Sequence, residues 1–242
     1  MNTPSEWFKS WFNTSYYHLL YNKRDYKEAQ IFMSHLVNFL KLKNADTILD
    51  LACGKGRHSI YLNSLGFNVT GTDLSENSIK EAQTHSNVSL HFDVHDMRLP
   101  FKNTYNAIFN LFTSFGYFED DKEDITVLKN IKLGLKTDGV AVIDYINVTK
   151  AIAQMIPSEI QKRGDIDFNI KRHVNDNFIV KDIQFTADNH DYIFTERVKC
   201  LNLDTFKHYL SICDLKLVAV FGDYNLQAFD EESSDRLILI IK

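Results

Sequence analysis

Residues 45–73 read ADTILDLACGKGRHSIYLNSLGFNVTGTD, which is a strand pattern, a small-residue loop, a helix pattern and a second strand pattern in succession. The first apolar run ends in the loop 52–56, a helix is predicted over 57–65, and the second run, 67–72, ends at Asp73. Glycines let the backbone of such a loop pass close to a ligand, and an acid at the tip of the second strand can accept hydrogen bonds from two ribose hydroxyls. The unit therefore predicts a nucleoside-binding site.

Asp50, directly before the loop, distinguishes this site from a dinucleotide site. A pyrophosphate on the loop would face the Asp50 carboxylate, and like charges at contact distance repel each other. A ligand that carries an ammonium and a sulfonium would instead be attracted there. The dinucleotide pattern G-x-G-x-x-G also fails at its last position, which is Ser59.

The sequence Asp50-x-x-x-Gly54-x-Gly56, with Asp73 beyond it, resembles the first two motifs of the class I S-adenosylmethionine (SAM) methyltransferases. The common form of the motif has glycine where this chain has Ala52, and alanine is expected to require an ordinary backbone conformation there. The resemblance implies a Rossmann-like fold, SAM as cofactor and S-adenosylhomocysteine (SAH) as product.

Two further segments extend this resemblance. Residues 95–98, His-Asp-Met-Arg, resemble the motif in which an acid accepts the adenine amino group and the next residue packs on the ring. Residues 110–118, NLFTSFGYF, follow the fourth predicted strand, where this superfamily places substrate and methionine contacts. With Y-Y-x-x-L-Y-x-x-R-D near the start and G-D-Y…F…S-x-R-L near the end, the chain is similar to one bacterial branch of small-molecule methyltransferases.

The similarity to that branch implies that Tyr17, Tyr21 and Arg24 fold back over the cofactor, with the Arg24 guanidinium on the methionine carboxylate. The alternative is a surface pair of Arg24 with Asp25 and tyrosines that only pack. Ligands of open α/β sheets lie beyond the carboxyl ends of the strands. The predicted cofactor-binding residues are Tyr17, Tyr21, Arg24, Asp50, Ala52, Cys53, Gly54, Gly56, His58, Asp73, Leu74, Asp96, Met97, Asn110, Leu111 and Phe112.

Strand and helix patterns alternate through the first part of the chain, which favours a doubly wound α/β fold. Residues 5–42 are predicted to be helical and 137–139 to form a turn. Further helices are predicted over 75–84, 120–135 and 203–213. Further strands are predicted over 88–94, 105–111, 140–146, 216–221 and 236–241. We expect a mostly parallel, seven-stranded Rossmann-like sheet.

The pattern changes after residue 150, where apolar and polar residues alternate between turn signals. An antiparallel meander is predicted from three segments, 168–174, 178–185 and 192–201. We interpret the chain as one methyltransferase domain, 1–242. Its parts are a helical cover (1–44), a SAM-binding core (45–150), an inserted antiparallel β lid (151–201) and the completion of the sheet (202–242).

Composition narrows the range of partners. A net charge of −5 and a pI near 6.0 argue against nucleic acid, because phosphate binding needs a basic patch. Three cysteines without C-x-x-C spacing fit a reducing cytoplasm, and no apolar run has the length that spans a membrane. We therefore expect a cytoplasmic enzyme with a small-molecule acceptor and no membrane partner.

The catalytic residues are not specified by a motif, because methyl transfer mainly requires alignment and exclusion of water. An amine acceptor would need a base for its proton, for which the weak candidates are Tyr145, His173, Glu196 and Tyr224. His91, Asp93 and His95 would share one face of a strand, as metal ligands can. Because this strand belongs within a parallel sheet and Asp96 has the adenine role, no metal is predicted.

The favoured function is transfer of a methyl group from SAM to a nitrogen or oxygen nucleophile of a small molecule by in-line displacement. A SAM-binding protein without transferase activity is an alternative from a different class. An NAD-dependent oxidoreductase is a further alternative, against which Asp50, Ser59 and the motif at Asp96 all count.

Overall fold

The computed structural model describes residues 6–21 and 26–242. Its strands are β1 (Thr47–Leu51), β2 (Asn68–Asp73), β3 (Leu90–Val94), β4 (Tyr105–Asn110), β5 (Leu135–Ile146), β6 (Ser158–Arg163), β7 (Ile166–Asn175), β8 (Phe178–Ala187), β9 (His190–Lys199), β10 (Leu217–Phe221) and β11 (Arg236–Ile241). Its α-helices are α1 (Trp7–Trp11), α2 (Ser15–Leu20), α3 (Tyr26–Leu40), α4 (Arg57–Ser64), α5 (Glu76–Ala82), α6 (Asp121–Gly134), α7 (Val148–Ala153) and α8 (Leu203–Ile212).

Seven strands form one sheet in the order β10-β11-β5-β4-β1-β2-β3. Strands β1 to β5 run parallel, and β11 pairs antiparallel with both β5 and β10. The predicted fold class is confirmed. Because β1 lies between β4 and β2, the carboxyl ends of these three strands meet at one edge of the sheet, where ligands of open α/β sheets lie.

Four of the described helices, α2, α5, α6 and α8, begin at a residue whose side chain caps them. Ser75 caps α5 by accepting a hydrogen bond from the Ser78 backbone N–H at 3.1 Å. Asn202 caps α8 by accepting one from the Thr205 N–H at 2.9 Å. The predicted N-terminal helical segment is divided into α1, α2 and α3. Among the described helices, none is both long and apolar enough to cross a membrane.

The core lies on both faces of the seven-stranded sheet. On one face, Trp11, Phe115 and Phe206 belong to a cluster that joins the sheet to α1, α8 and the four-stranded sheet. On the other face, Phe32 of α3 and Phe109 of β4 belong to a second cluster. The N-terminal helices therefore cover both faces, and α1 and α2 reach the four-stranded sheet.

The four-stranded sheet has the order β6-β7-β8-β9, one strand more than the predicted meander. Strand β6 reads SEIQKR, and its one aliphatic side chain, Ile160, is exposed. Such a strand has no apolar face that sequence periodicity can reveal. Helix α7 is also absent from the sequence prediction.

The predicted turn at 137–139 lies inside the range of β5, and the backbone folds back there, since a Cβ placed on Gly139 would lie 2.9 Å from the Lys136 carbonyl oxygen. The register of β5 against β4 shifts between the pairs Tyr105–Leu135 and Ala107–Val140, so β5 has extra residues there. The turn-forming sequence therefore forms a bulge within β5.

Candidate active site

A cavity of about 820 Å³ lies at the carboxyl ends of β1, β2, β3 and β4. Its wall includes the loop after β1, the end of β2, the segment after β3 and the segment after β4, and residues of helices α1 and α2 also line it. The predicted cofactor-binding residues in this wall are Tyr17, Tyr21, Asp50, Ala52, Cys53, Gly54, His58, Asp73, Leu74, Asp96, Met97, Leu111 and Phe112. Arg24 lies outside the described residues, and Gly56 and Asn110 do not line the cavity.

Asp50 is almost fully buried near the end of β1, and among the described residues its side-chain donor is Ser59 of α4. The Ser59 hydroxyl donates to Asp50 Oδ2 at 2.5 Å. Burial raises the pKa of Asp50 to about 6, although the hydrogen bonds from Ser59 oppose the shift. A cation beside this carboxylate would favour its ionised form, so the site is suited to a positively charged group.

Asp73 ends β2 and binds the loop that it faces. Its Oδ2 accepts the Gly54 backbone N–H at 2.8 Å, and its Oδ1 accepts the Ser75 N–H at 2.8 Å. Burial raises the pKa of Asp73 in spite of these backbone hydrogen bonds. A carboxylate has about four acceptor positions. The Leu74 N–H also hydrogen-bonds to this carboxylate, so acceptor capacity for about one donor is left in the cavity, where the predicted ribose would lie.

The backbone of the glycine loop corrects one prediction. Ala52 has φ +66°, a left-handed conformation, so the expectation of an ordinary backbone at this position is wrong. Gly54 has φ +55°, and a Cβ placed on it would have no atom within 4 Å. A Cβ on Gly56 would lie 2.5 Å from the ring of Phe92, so Gly56 serves the packing of α4.

At the other end of the cavity, Asp96 is held by an arginine that sequence reasoning did not include. Arg98 Nη2 lies 2.6 Å from Asp96 Oδ2, and its Nη1 lies 2.7 Å from Glu123 Oε1 of α6. Burial alone would raise the pKa of Asp96, but hydrogen bonds from Arg98 lower it below its ordinary value. Asp96 is therefore ionised and fixed. The sequence signal was present, since acid and arginine stand two residues apart.

Asn110 connects strands instead of lining the cavity. Its side chain is fully buried, and Nδ2 donates to the Leu51 carbonyl at 3.1 Å. Its neighbour Phe112 does line the cavity, with its ring parallel to that of His58 at a centroid distance of 4.7 Å and an interplanar angle of 11°. The segment after β4 thus contributes an aromatic surface beside the glycine loop.

The four candidate bases occupy different surroundings, and none of them lines this cavity. Tyr145 is fully buried and donates to the Lys199 carbonyl at 2.6 Å. His173 borders a second cavity of about 420 Å³ on the four-stranded sheet, and Tyr224 packs with its ring 5.4 Å from that of Phe112.

Glu196 differs from the other three, because it contacts a hydroxyl group in the cavity wall. Tyr21 Oη lies 2.7 Å from Glu196 Oε1, and Trp11 Nε1 donates to the same oxygen at 2.7 Å. The Lys181 ammonium hydrogen-bonds to Tyr21 Oη and lies 3.6 Å from Glu196 Oε2. Burial lowers the pKa of Lys181. This network connects α1 and α2 to β8 and β9.

Within the described ranges, no group of three His, Cys, Asp or Glu side chains could hold a metal ion. His91 and Asp93 are exposed on β3, and His95 Nε2 lies 3.2 Å from the Leu99 carbonyl oxygen.

Comparison with known proteins identifies the family. A family model described as Methyltransferase domain matches residues 42–197, which is more than half of the chain. The chain belongs to this methyltransferase family. The methyltransferase-named protein YqeM of Bacillus subtilis is 28% identical over an alignment of 192 positions, which covers 73% of this chain and 76% of the relative.

Solved structures agree with the fold. An S-adenosylmethionine-dependent methyltransferase from Clostridium acetobutylicum superposes with a TM-score of 0.79 at 19% identity, over 94% of this chain and 95% of that chain. The sugar N-methyltransferase KedS8 from a Streptoalloteichus species superposes with a TM-score of 0.72 at 15% identity, over 93% and 92%. The protein is a class I SAM-dependent methyltransferase, and its family implies SAM as the cofactor.

The residues of the cavity fit this cofactor. The space beside Gly54 leaves room for a ligand against the loop, and two acids, Asp50 and Asp73, offer acceptors for an ammonium and for hydroxyl groups. Leu74 and Met97 add apolar surface near Asp96 for a flat ring. Acceptors for cationic and hydroxyl groups, combined with an apolar wall, match an adenosyl amino acid better than a pyrophosphate.

Proposed function

We propose that this methyltransferase acts on a nitrogen or oxygen nucleophile of a small molecule, by in-line displacement. The observation that supports this most strongly is the continuous cavity of about 820 Å³, which joins the acids of the predicted cofactor site to an aromatic wall. Small-molecule sites usually have volumes of about 300–1,000 Å³. Phe12, Tyr17 and Tyr117 contribute to that wall, and α1 and α2 enclose it.

When bound, SAM would supply a methyl carbon on a sulfonium, so that the acceptor's nucleophile bonds to this carbon as the carbon–sulfur bond breaks and SAH leaves. In our proposal, Asp73 binds the ribose hydroxyls, Asp50 binds the ammonium, and Leu74 and Met97 pack on the adenine near Asp96. Arg24 remains a prediction for the carboxylate. The reaction mainly requires alignment of the acceptor and exclusion of water, and in our proposal the aromatic wall contributes to both when the ligands are bound.

We propose that Tyr21 and Glu196 move the proton of an amine or hydroxyl acceptor. Tyr21 Oη would take the acceptor's proton as Tyr21 gives its own proton to Glu196 Oε1, which lies 2.7 Å away. The Lys181 ammonium beside both groups favours negative charge on the phenol oxygen. Glu196 can therefore act as the base without lining the cavity.

Charge supports a small acceptor over nucleic acid, since the chain has a net charge of −5. Among proteins with the same fold, KedS8 is a sugar N-methyltransferase. Cys53, Cys200 and Cys213 are all free, which supports the proposal that the enzyme is cytoplasmic.

Calorimetric titration with SAM, SAH and NAD tests the cofactor assignment. We expect micromolar binding of both adenosyl ligands and none of NAD. Asp73→Ala should weaken SAH binding by about tenfold or more, because hydrogen bonds to a charged acceptor are lost. Asp93→Ala, which removes an exposed acid from the neighbouring strand, is the matched control and should have no effect. Binding of NAD alone would overturn the proposal.

A panel of amines and alcohols, assayed for SAH release, then tests the acceptor class. Turnover with a small amine or alcohol would support the proposed reaction. Tight SAM binding with no SAH release from any member would favour the SAM-binding protein without transferase activity.

A further inference from the structure

The segment after β4 contains two successive residues in the left-handed conformation, neither of them glycine. Phe112 has φ +57° and Thr113 has φ +60°. This conformation costs free energy for any residue with a Cβ, and a β-branched residue such as threonine is an outlier there. Strain of this kind persists where surrounding contacts impose it, and it concentrates at functional sites. The contacts that impose it are therefore informative.

Two side chains from other strands hold these residues. Asp144 of β5 is fully buried, and its Oδ2 accepts the Phe112 backbone N–H at 2.7 Å. Arg236 of β11 donates from Nε to Asp144 Oδ1 at 2.7 Å and from Nη2 to Thr113 Oγ1 at 2.9 Å. The Thr113 N–H also donates to the Asp144 carbonyl at 2.9 Å. One buried ion pair thus supplies a hydrogen bond to each strained residue.

The sheet itself does not require this ion pair. Strands β5 and β11 already pair along six residue pairs, from Arg236–Ile146 to Ile241–Ala141. A buried ion pair is often no more stabilising than well-packed apolar side chains of similar volume. Apolar side chains could not reproduce its fixed geometry, in which one planar guanidinium donates hydrogen bonds to both Asp144 and Thr113.

The strained conformation directs the Phe112 ring into the cavity wall. The ring stacks on His58 at 4.7 Å and has the rings of Tyr224 and Phe32 at 5.4 and 6.3 Å. His58 belongs to α4, which begins directly after the glycine loop. A change in the backbone of residues 112 and 113 would therefore move a side chain that borders the cofactor cavity.

We propose that Asp144 and Arg236 are positioning residues, which hold Phe112 against His58 as a fixed wall of the cofactor cavity. They act through the backbone of Phe112 and the hydroxyl of Thr113, and neither lines the cavity. The inference rests on the proposed function, since it takes the ligand of this cavity to be the adenosyl cofactor.

A double-mutant cycle with SAH as the calorimetric ligand tests the proposal. Thr113→Val removes the acceptor for Arg236 but keeps the β-branched shape and hence the backbone strain. We expect it to weaken SAH binding about five- to tenfold, and to have less than about a twofold effect when Phe112 is already alanine. Thr126→Val is the matched control, because Thr126 Oγ1 also makes one hydrogen bond, to the Lys122 carbonyl at 2.7 Å, on the exposed side of α6.

Arg236→Lys gives a second test, because it keeps a positive charge beside Asp144 without the two-pronged donor geometry. We expect a loss of SAH affinity similar to that of Thr113→Val. Equal losses with and without the Phe112 ring, or lower melting temperatures with unchanged SAH affinity, would show a purely structural role and overturn the proposal. If the wild-type protein binds no SAH, the proposed function fails and this inference fails with it.

Discussion

Protonation of Asp50 should weaken SAH binding as the pH falls below about 6. Asp50 lines the cavity, and burial raises its pKa from 3.8 to about 6. In the proposed complex the ligand ammonium is attracted to the ionised carboxylate and not to the neutral acid. Ligand binding and proton binding at Asp50 therefore oppose each other.

The size of the effect follows from the pKa. If only the ionised form binds, the apparent dissociation constant of SAH is about tenfold higher at pH ~5 than at pH ~8, and nearly unchanged at pH ~7. Protonation of Asp50 itself does not favour unfolding, because the pKa of Asp50 is higher in the folded protein than in the unfolded chain. This group makes the protein more stable as the pH falls from about 6 towards 3.8, by roughly 3 kcal/mol.

The assay is calorimetric titration across this pH range with two ligands, SAH and 5′-methylthioadenosine. The second ligand has the adenosyl group without the amino-acid portion, so its affinity should not respond to the ionisation of Asp50. Asp50→Asn should lose most of the pH dependence and bind SAH at every pH about as weakly as the wild type does at low pH. Equal pH dependence for both ligands, or a pH dependence that survives in Asp50→Asn, would refute the reasoning.

Two further predictions concern stability and are measured by chemical denaturation. Ala52→Gly should stabilise the protein by about 0.5–1 kcal/mol, because glycine adopts the left-handed conformation freely. The control, Ala151→Gly inside α7, should destabilise the protein by a similar amount. A lower free energy of unfolding in both variants would contradict the strain at Ala52. Lys199→Met should cost about 3–5 kcal/mol, because it leaves the buried carboxylate of Asp124, 2.6 Å from the Lys199 ammonium, without a cation. The exposed Lys207→Met should change stability by less than about 1 kcal/mol, and an equally small effect of Lys199→Met would show that the buried pair contributes little.

The cofactor half of the molecule could be predicted because its signals are local. The strand, loop, helix and second strand all lie within residues 45–73, and side-chain periodicity and glycine spacing suffice to recognise them. The backbone of Ala52 could not be predicted in this way. Its neighbour Cys53 donates its N–H to the Thr72 carbonyl of β2 at 2.9 Å, and this contact between the loop and β2 helps to fix the path of the loop.

The candidate bases show where residue type is a poor guide. Tyr145 and Glu196 both have side chains that can exchange protons. Tyr145 is fully buried against the Lys199 carbonyl, whereas Glu196 contacts Tyr21, which lines the cavity. The hydrogen bond between Tyr21 and Glu196 joins residues 175 positions apart, and that between Thr113 and Arg236 spans 123 positions. Contacts between residues so far apart in the sequence form only in the assembled fold, so sequence periodicity cannot predict them.

The matched methyltransferase domain and the N-terminal helices contribute different parts of the cavity. The family match begins at residue 42, so α1, α2 and α3 lie outside it. Yet Tyr17 and Tyr21 of this N-terminal part line the cavity, and Tyr21 reaches Glu196 on the four-stranded sheet. Family membership thus fixes methyl transfer from SAM through the core of the chain. In our proposal, the acceptor is selected where the N-terminal helices meet the four-stranded sheet.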